Sequence, residues 1–180
     1  MNFCARKGKP TKANKSGVAT ASDSVMTKKE TAKFIYGWYK PKGTILEPAA
    51  GKNVFFDLFN QPKYRCEIED GIDFFKWNKK VDWIMTNPPY SIYDNFLEHC
   101  FMVADNIVLF VPVAKALKSN KIMQMVEQYG GLKEILYMGG GQQHGFAFGF
   151  PVGCLYYQRG YKGNTEIILR VAQKKGKIWK

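Results

Sequence analysis

From Met26 onward the apolar positions fall into short groups whose period switches between that of a helix and that of a strand. Ala32, Ile35, Tyr36 and Tyr39 recur at helical spacing behind Thr27, and Glu30 stands three residues after that threonine, as in a capping box. The pattern predicts a helix over 28–39. Pro41 stops it, Gly43 turns the chain, and Thr44-Ile45-Leu46 reads as a short buried strand. A turn of small residues, Glu47 to Asn53, then leads into Val54 to Phe59, which reads as a short helix. Tyr64 to Glu69 is predicted as a second strand and Asp73-Phe74-Phe75 as the stub of another. Val81 to Thr86 is a further strand, which runs straight into Asn87-Pro88-Pro89-Tyr90, where two prolines forbid its continuation.

Beyond that point Ile92, Phe96, Leu97, Cys100, Phe101 and Val103 have helical periodicity, and Asn106 to Val113 is apolar without alternation, the signature of a strand covered on both faces. A helix over 118–129, a strand from Leu132 to Met138, a Gly-rich loop and closing strands near 152–160 and 165–170 complete the series. Strands alternating with helices and ending in a hairpin predict an open, mostly parallel α/β sheet with an antiparallel C-terminal hairpin at its edge. Ligands of such sheets bind beyond the carboxyl ends of the strands. Both motif-like turns, Glu47–Asn53 and Asn87–Tyr90, fall on that edge.

Charge divides the chain. Of a net charge of +12 over 180 residues, residues 1–25 carry +4 and residues 171–180 another +4, which leaves +4 for the 145 residues between. This divides the sequence into a flexible basic arm (1–25), a single folded domain (26–170) and a basic tail (171–180). With 13 Phe, 10 Tyr and 4 Trp in the chain, the middle segment has the material for a packed core, and basic ends on such a core suit a polyanion such as nucleic acid. The longest uninterrupted apolar stretch is too short to span a bilayer, and lysines and an arginine interrupt the N-terminus where a secretory signal would be apolar. The expectation is a cytoplasmic protein without a membrane partner. Cys4, Cys66, Cys100 and Cys154 are far apart, and only His99 and His144 could supplement them, so neither a structural metal nor a disulfide framework is expected.

Asn87-Pro88-Pro89-Tyr90 has a chemical rationale. The exocyclic amine of a nucleobase is a poor nucleophile because its lone pair is delocalised into the ring. A rigid pair of acceptors, the Asn87 side-chain oxygen and the Pro88 carbonyl, could draw its two hydrogens and favour a more tetrahedral nitrogen. Tyr90 offers a face on which a base can stack.

At these residues the chain resembles the S-adenosylmethionine-dependent amino-methyltransferases, most closely the DNA adenine-N6 enzymes in which cofactor motifs precede NPPY. The resemblance extends over about residues 26–160. It implies a Rossmann-like class I methyltransferase fold with S-adenosylmethionine as cofactor. It implies that Thr27 and the turn Glu47, Pro48, Ala49, Gly51 and Asn53 line the methionine end of that cofactor, that Glu67 bonds its ribose, and that Asp73 and Phe74 receive its adenine. It further implies that Asn87, Pro88, Pro89 and Tyr90 form the catalytic motif, with Tyr90 and Phe150 stacking on a flipped target base. The order of these motifs is what distinguishes them from an ordinary loop acid, a turn aspartate and a core aromatic.

Three departures stand out. The second glycine of the first turn is replaced by Asn53, a residue that tolerates a left-handed backbone. Only six positions separate Glu67 from Asp73, too few for the usual connecting helix and edge strand, so one helix of the fold is expected to be missing. Only ten residues, four of them lysines, follow the core in this sequence, so target recognition is expected from the loop Gly139–Phe150, with its Gln142, Gln143, His144 and phenylalanines, from the basic ends, or from a second copy or partner subunit. DNA is the expected substrate. RNA adenine, DNA cytosine N4, a protein glutamine amide and a non-catalytic nucleic-acid-binding role remain alternatives, because NPPY alone does not specify the base.

Overall fold

A computed structural model describes residues 26–147 and 149–171; the predicted arm, Phe148 and all of the predicted tail but Val171 lie outside the described residues. The described chain forms a seven-stranded sheet with three α-helices. In chain order these are α1 (Lys29–Tyr39), β1 (Ile45–Glu47), β2 (Lys63–Arg65), β3 (Val81–Thr86), α2 (Tyr93–Val103), β4 (Ala104–Pro112), α3 (Asn120–Tyr129), β5 (Gly130–Gly140), β6 (Pro151–Arg159) and β7 (Glu166–Leu169). The spatial order is β2-β1-β3-β4-β6-β5-β7. Every neighbouring pair is parallel except those made by β6, which runs antiparallel to both β4 and β5.

Alternation along the strands sends successive side chains to opposite faces. Leu46, Ile84, Ile107, Leu109, Leu155 and Tyr157 join Phe96, Leu97 and Cys100 of α2 and Ile122 and Val126 of α3 in one buried cluster. Ile45, Met85, Val108, Phe110, Leu136 and Tyr156 join Ala32 and Ile35 of α1, with Phe55, Phe59 and Phe146, in the other. The unbroken apolar run of β4 is thereby explained: both of its faces are covered. Among the described residues no helix is long and apolar enough to cross a membrane.

The sheet is open, mostly parallel and carries an antiparallel hairpin, as the pattern predicted, but the hairpin consists of β5 and β6. The last strand crosses over to pair in parallel with β5. Four local expectations are corrected. The N-cap of α1 is Lys28, with no side-chain cap bond, so Thr27 and Glu30 form no capping box. The second strand stops at Arg65, and the chain passes into a 3₁₀ turn at Ile68–Asp70. Asp73-Phe74-Phe75 is not a strand: Asp73 caps a second 3₁₀ turn, Phe74–Lys76, by accepting from the Phe75 N–H at 2.9 Å. Val54–Phe59 winds into turns and a single 3₁₀ turn, Phe56–Leu58, in place of a helix. Between β2 and β3 there is accordingly neither α-helix nor paired strand, the deletion expected from the short spacing.

Gly153 shows how tightly β6 is held between its neighbours. A Cβ built there would come within 2.2 Å of the Leu136 carbonyl oxygen on β5. Gly153→Ala must therefore push β6 and β5 apart in the middle of the sheet, and we expect it to lower unfolding free energy by about 1–3 kcal/mol. Denaturant titration checks this; an unchanged midpoint would contradict the packing described.

Candidate active site

β1 leads outward to β2 and the chain then returns to β3 on the other side of β1, so the strand order reverses between β1 and β3. In open α/β sheets the crevice at such a reversal, past the carboxyl ends, is where ligands sit. β1 delivers Glu47 and its turn there, and β3 delivers Asn87–Tyr90. The Thr86 hydroxyl reaches across to the Ala49 carbonyl at 3.4 Å and ties the two turns together.

Asn87 is held from two sides. Its Nδ2 donates to the Thr27 hydroxyl at 3.1 Å, and its Oδ1 accepts from the Tyr90 hydroxyl at 2.5 Å. A threonine placed by resemblance at the cofactor thus meets the amide of the NPPY motif itself, 60 positions on, and the two hydroxyls engage its two ends. Pro88 is buried and Pro89 half-buried. The Tyr90 ring lies nearly parallel to Phe146, with centroids 6.0 Å apart and planes 10° from coplanar. Phe150 meets Phe146 edge-on at 5.6 Å, so Phe150 joins the aromatic group through Phe146. Lys115, just past β4, donates to the Tyr90 carbonyl at 3.1 Å and holds the motif from below. Neither Phe146 as the partner of Tyr90 nor Lys115 stands out in the sequence. The only sequence signal for Phe146 is its place in the Gly-rich aromatic loop, and for Lys115 its place just after a buried strand.

His144 latches that loop. Its Nε2 lies 2.9 Å from the Met138 carbonyl, which can only accept, so Nε2 carries the proton and Nδ1 accepts from Thr31 at 3.0 Å. Burial holds its pKa below the ordinary histidine value, with the nearby Lys28 acting in the same direction. Lys28 also donates to the Gln143 carbonyl at 2.8 Å, so the start of α1 and the loop are bound together beside Asn87. Gln142 and Gln143 are exposed.

The turn after β1 has the backbone of a ligand cradle. Gly51 (φ 48°) and Asn53 (φ 62°) both adopt left-handed conformations, and the space where a Gly51 side chain would stand is open. Arg65 donates to Asn53 Oδ1 at 3.1 Å, which secures a left-handed conformation that costs a non-glycine residue energy. Glu67 accepts from the Gly51 N–H with one oxygen and from the Glu69 N–H at 3.3 Å with the other, so this acid stands directly against the turn. Pro48 is buried and Ala49 half-buried behind it. Asp73 is half-buried a few residues on. Phe74 is enclosed by Phe96 and His99, with centroids at 4.8 and 4.6 Å. The ring beside Asp73 that is open to solvent belongs to Phe75, 41 % exposed. The open cradle and the acids fit a ribose-bearing cation such as S-adenosylmethionine, whereas Phe74 is placed as a core side chain.

No protein-family model and no curated protein matches the chain. Solved structures do. A protein from Vibrio vulnificus described as the modification subunit of a type I restriction enzyme superposes with a TM-score of 0.62 at 15% identity, over 88% of this chain and 49% of that one. The methyltransferase subunit of a type I restriction-modification system from Streptococcus thermophilus gives 0.60 at 13% identity, over 87% of this chain and 50% of that one. A class I S-adenosylmethionine-dependent methyltransferase from Listeria monocytogenes gives 0.57 at 12% identity, over 84% and 67%. The fold is that of the class I methyltransferases. The chain spans about half the length of the first two of these proteins.

Glu47, at the end of β1, is the site's most strongly perturbed carboxyl. It is almost fully buried, with its Oε2 accepting from the Phe56 N–H at 2.6 Å. Burial pushes its carboxyl up to about 9, against the pull of the Phe56 and Phe55 amides. From an ordinary value near 4.5 to about 9 the folded chain holds a proton that the unfolded chain releases, so stability present at acid pH is lost as pH rises through this window. Glu47→Gln keeps a neutral hydrogen-bonding group and should flatten that loss, which for one group is at most about 1.4 kcal/mol per pH unit. Denaturant unfolding at pH 6 and pH 9 reads it; equal slopes in both proteins would contradict a protonated Glu47.

Proposed function

We propose that this chain transfers a methyl group from S-adenosylmethionine to the N6 amino group of an adenine in DNA, turned out of the stack to reach the site. The observation that carries the reading is the Asn87 amide at the strand-order reversal. It is locked by Thr27 and Tyr90 a short step from the Gly51–Asn53 cradle. The description of two structural neighbours as restriction-modification methyltransferase subunits supports the same substrate class.

When bound, S-adenosylmethionine supplies a methyl carbon activated by its sulfonium. The remaining work falls to this chain. Asn87 Oδ1 and the Pro88 carbonyl accept the two hydrogens of the target amine and localise its lone pair. Because the Tyr90 hydroxyl occupies Asn87 Oδ1, the incoming amine takes over a hydrogen bond that the protein already makes, and no buried acceptor is left unpaired between turnovers. The freed Tyr90 ring, backed by the Phe146–Phe150 group, stacks on the base. Thr27 accepts from Asn87 Nδ2, which puts Oδ1 on the Tyr90 side, where the amine binds. Glu67 and Asp73 would hold the ribose and adenine of the cofactor, and the turn after Glu47 its methionine end. Lys and Arg outside the described core, nine in residues 1–25 and 171–180, supply phosphate contacts without sequence preference.

Incubation with tritiated cofactor and unmodified DNA tests the reading, and nucleoside analysis of the product identifies the base. Asn87→Ala should cut methyl incorporation about 10²-fold or more. Tyr90→Phe should keep most of it, whereas Tyr90→Ala, which removes the stack, should weaken base binding by about 1–3 kcal/mol. Incorporation unaffected by Asn87→Ala would sink the proposal, and label on RNA, cytosine or protein would replace its substrate.

A further inference from the structure

The two edges of the sheet are built differently. β2, at one end, is short and carries Lys63 and Arg65, a charged edge of the kind that discourages pairing with another strand. β7, at the other end, has β5 on one side and no described strand on the other. Ile167 stands level with Ile135, which packs on the α2/α3 cluster, so Ile167 and Leu169 project to that face; they are 67% and 64% exposed. Val171 continues the row, also exposed.

The opposite face of β7 is charged at both ends. Glu166 is level with Glu134, whose carboxylate accepts from Trp38 and Tyr39 of α1. Ile168 packs on the α1-side cluster, and the Arg170 guanidinium lies over the Trp38 ring at 5.2 Å. Two acids side by side on neighbouring strands repel each other, and no described ion pair includes either of them.

The backbone fixes what can pair with this edge. The Arg170 N–H donates to the Tyr137 carbonyl at 2.7 Å, so the amide groups of Arg170, Ile168 and Glu166 turn toward β5. Those of Ile167 and Leu169 therefore turn outward, where the Leu169 carbonyl accepts from the Arg170 guanidinium at 2.9 Å, a bond that a partner strand's N–H would replace. An antiparallel copy of the same strand, centred on Ile168, brings Ile167 opposite Leu169 in hydrogen-bonded pairs. It also brings Glu166 opposite Arg170 in the closer, non-hydrogen-bonded pairs. Apolar then meets apolar on one face, and acid meets base on the other. We propose that β7 is a self-complementary interface at which two copies of this chain join edge to edge about a two-fold axis at Ile168, forming one continuous sheet. The partner's Arg170 neutralises the Glu134–Glu166 pair, and the exposed Ile167 and Leu169 meet their counterparts.

Sedimentation at graded protein concentration and ~0.3 M salt, which screens the repulsion between two basic chains, reads the association. The wild-type chain should dimerise. Glu166→Arg sets like charges opposite each other twice across the axis and should weaken the dimer about tenfold, and adding Arg170→Glu should restore it. In a Cys4→Ser background, Ile168→Cys should form a disulfide-linked dimer on mild oxidation, whereas Thr165→Cys, offset from its own copy, should not. A monomer at every concentration overturns the proposal. So does a dimer indifferent to Glu166→Arg and not linked through Ile168→Cys, or a chain that dimerises only after residues 172–180 are removed.

Discussion

The carboxyl edge depends on one constraint: the second half of β3 is buried on both faces up to its last residue and can go no further. Ile84, Met85 and Thr86 are wholly enclosed, and the two prolines that follow Asn87 lack the N–H groups needed to extend the ladder. Asn87 therefore leaves the sheet at a point set by the core. Its amide has two hydroxyls within reach, one from the segment before α1 and one from its own tetrapeptide, and each satisfies a different end of it. A flexible loop would give the same residue types without holding the amide in one place.

That edge is costly to build, and the costs concentrate in Glu47. A carboxyl carried into the core at the end of β1 is tolerated by remaining protonated and by bonding to the amides that follow the turn. Asn53, left-handed two residues after Gly51, adds backbone strain that Arg65 offsets. A buried acid and a strained backbone persist where the surrounding structure over-determines them, and here both lie in the same crevice as the locked amide. Their coincidence makes a stronger case for a working site than either feature alone.

The same economy shapes the rest of the sheet. Where a helix and an edge strand would extend the fold beyond β2, the chain uses two 3₁₀ turns, and the vacated side is protected by basic residues. At the other side an additional strand, β7, lengthens the sheet and leaves Ile167 and Leu169 exposed at its edge. The chain has shortened the fold at one margin and extended it at the other, while the strands that bear the crevice, β1 and β3, retain their places.

Much of this was legible in the sequence because it is local. The span of β3, the prolines that end it, the periodicity of α2, the two-sided burial of β4 and the tolerance of Asn53 for a left-handed backbone each depend on a few neighbouring residues, and the alternation of elements was enough for the fold class. The short Glu67–Asp73 spacing even revealed the deletion. Other features were not legible, because they join residues far apart in the chain. Thr27 looked like a helix cap and is instead the partner of Asn87; Phe74 looked like a ligand face and is enclosed by α2; β7 looked like half of a hairpin with β6 and pairs with β5. Propensity and period say what a segment can become and which side of it is apolar. Strand order, and the side chains that meet across it, are decided only when all the apolar faces are buried together.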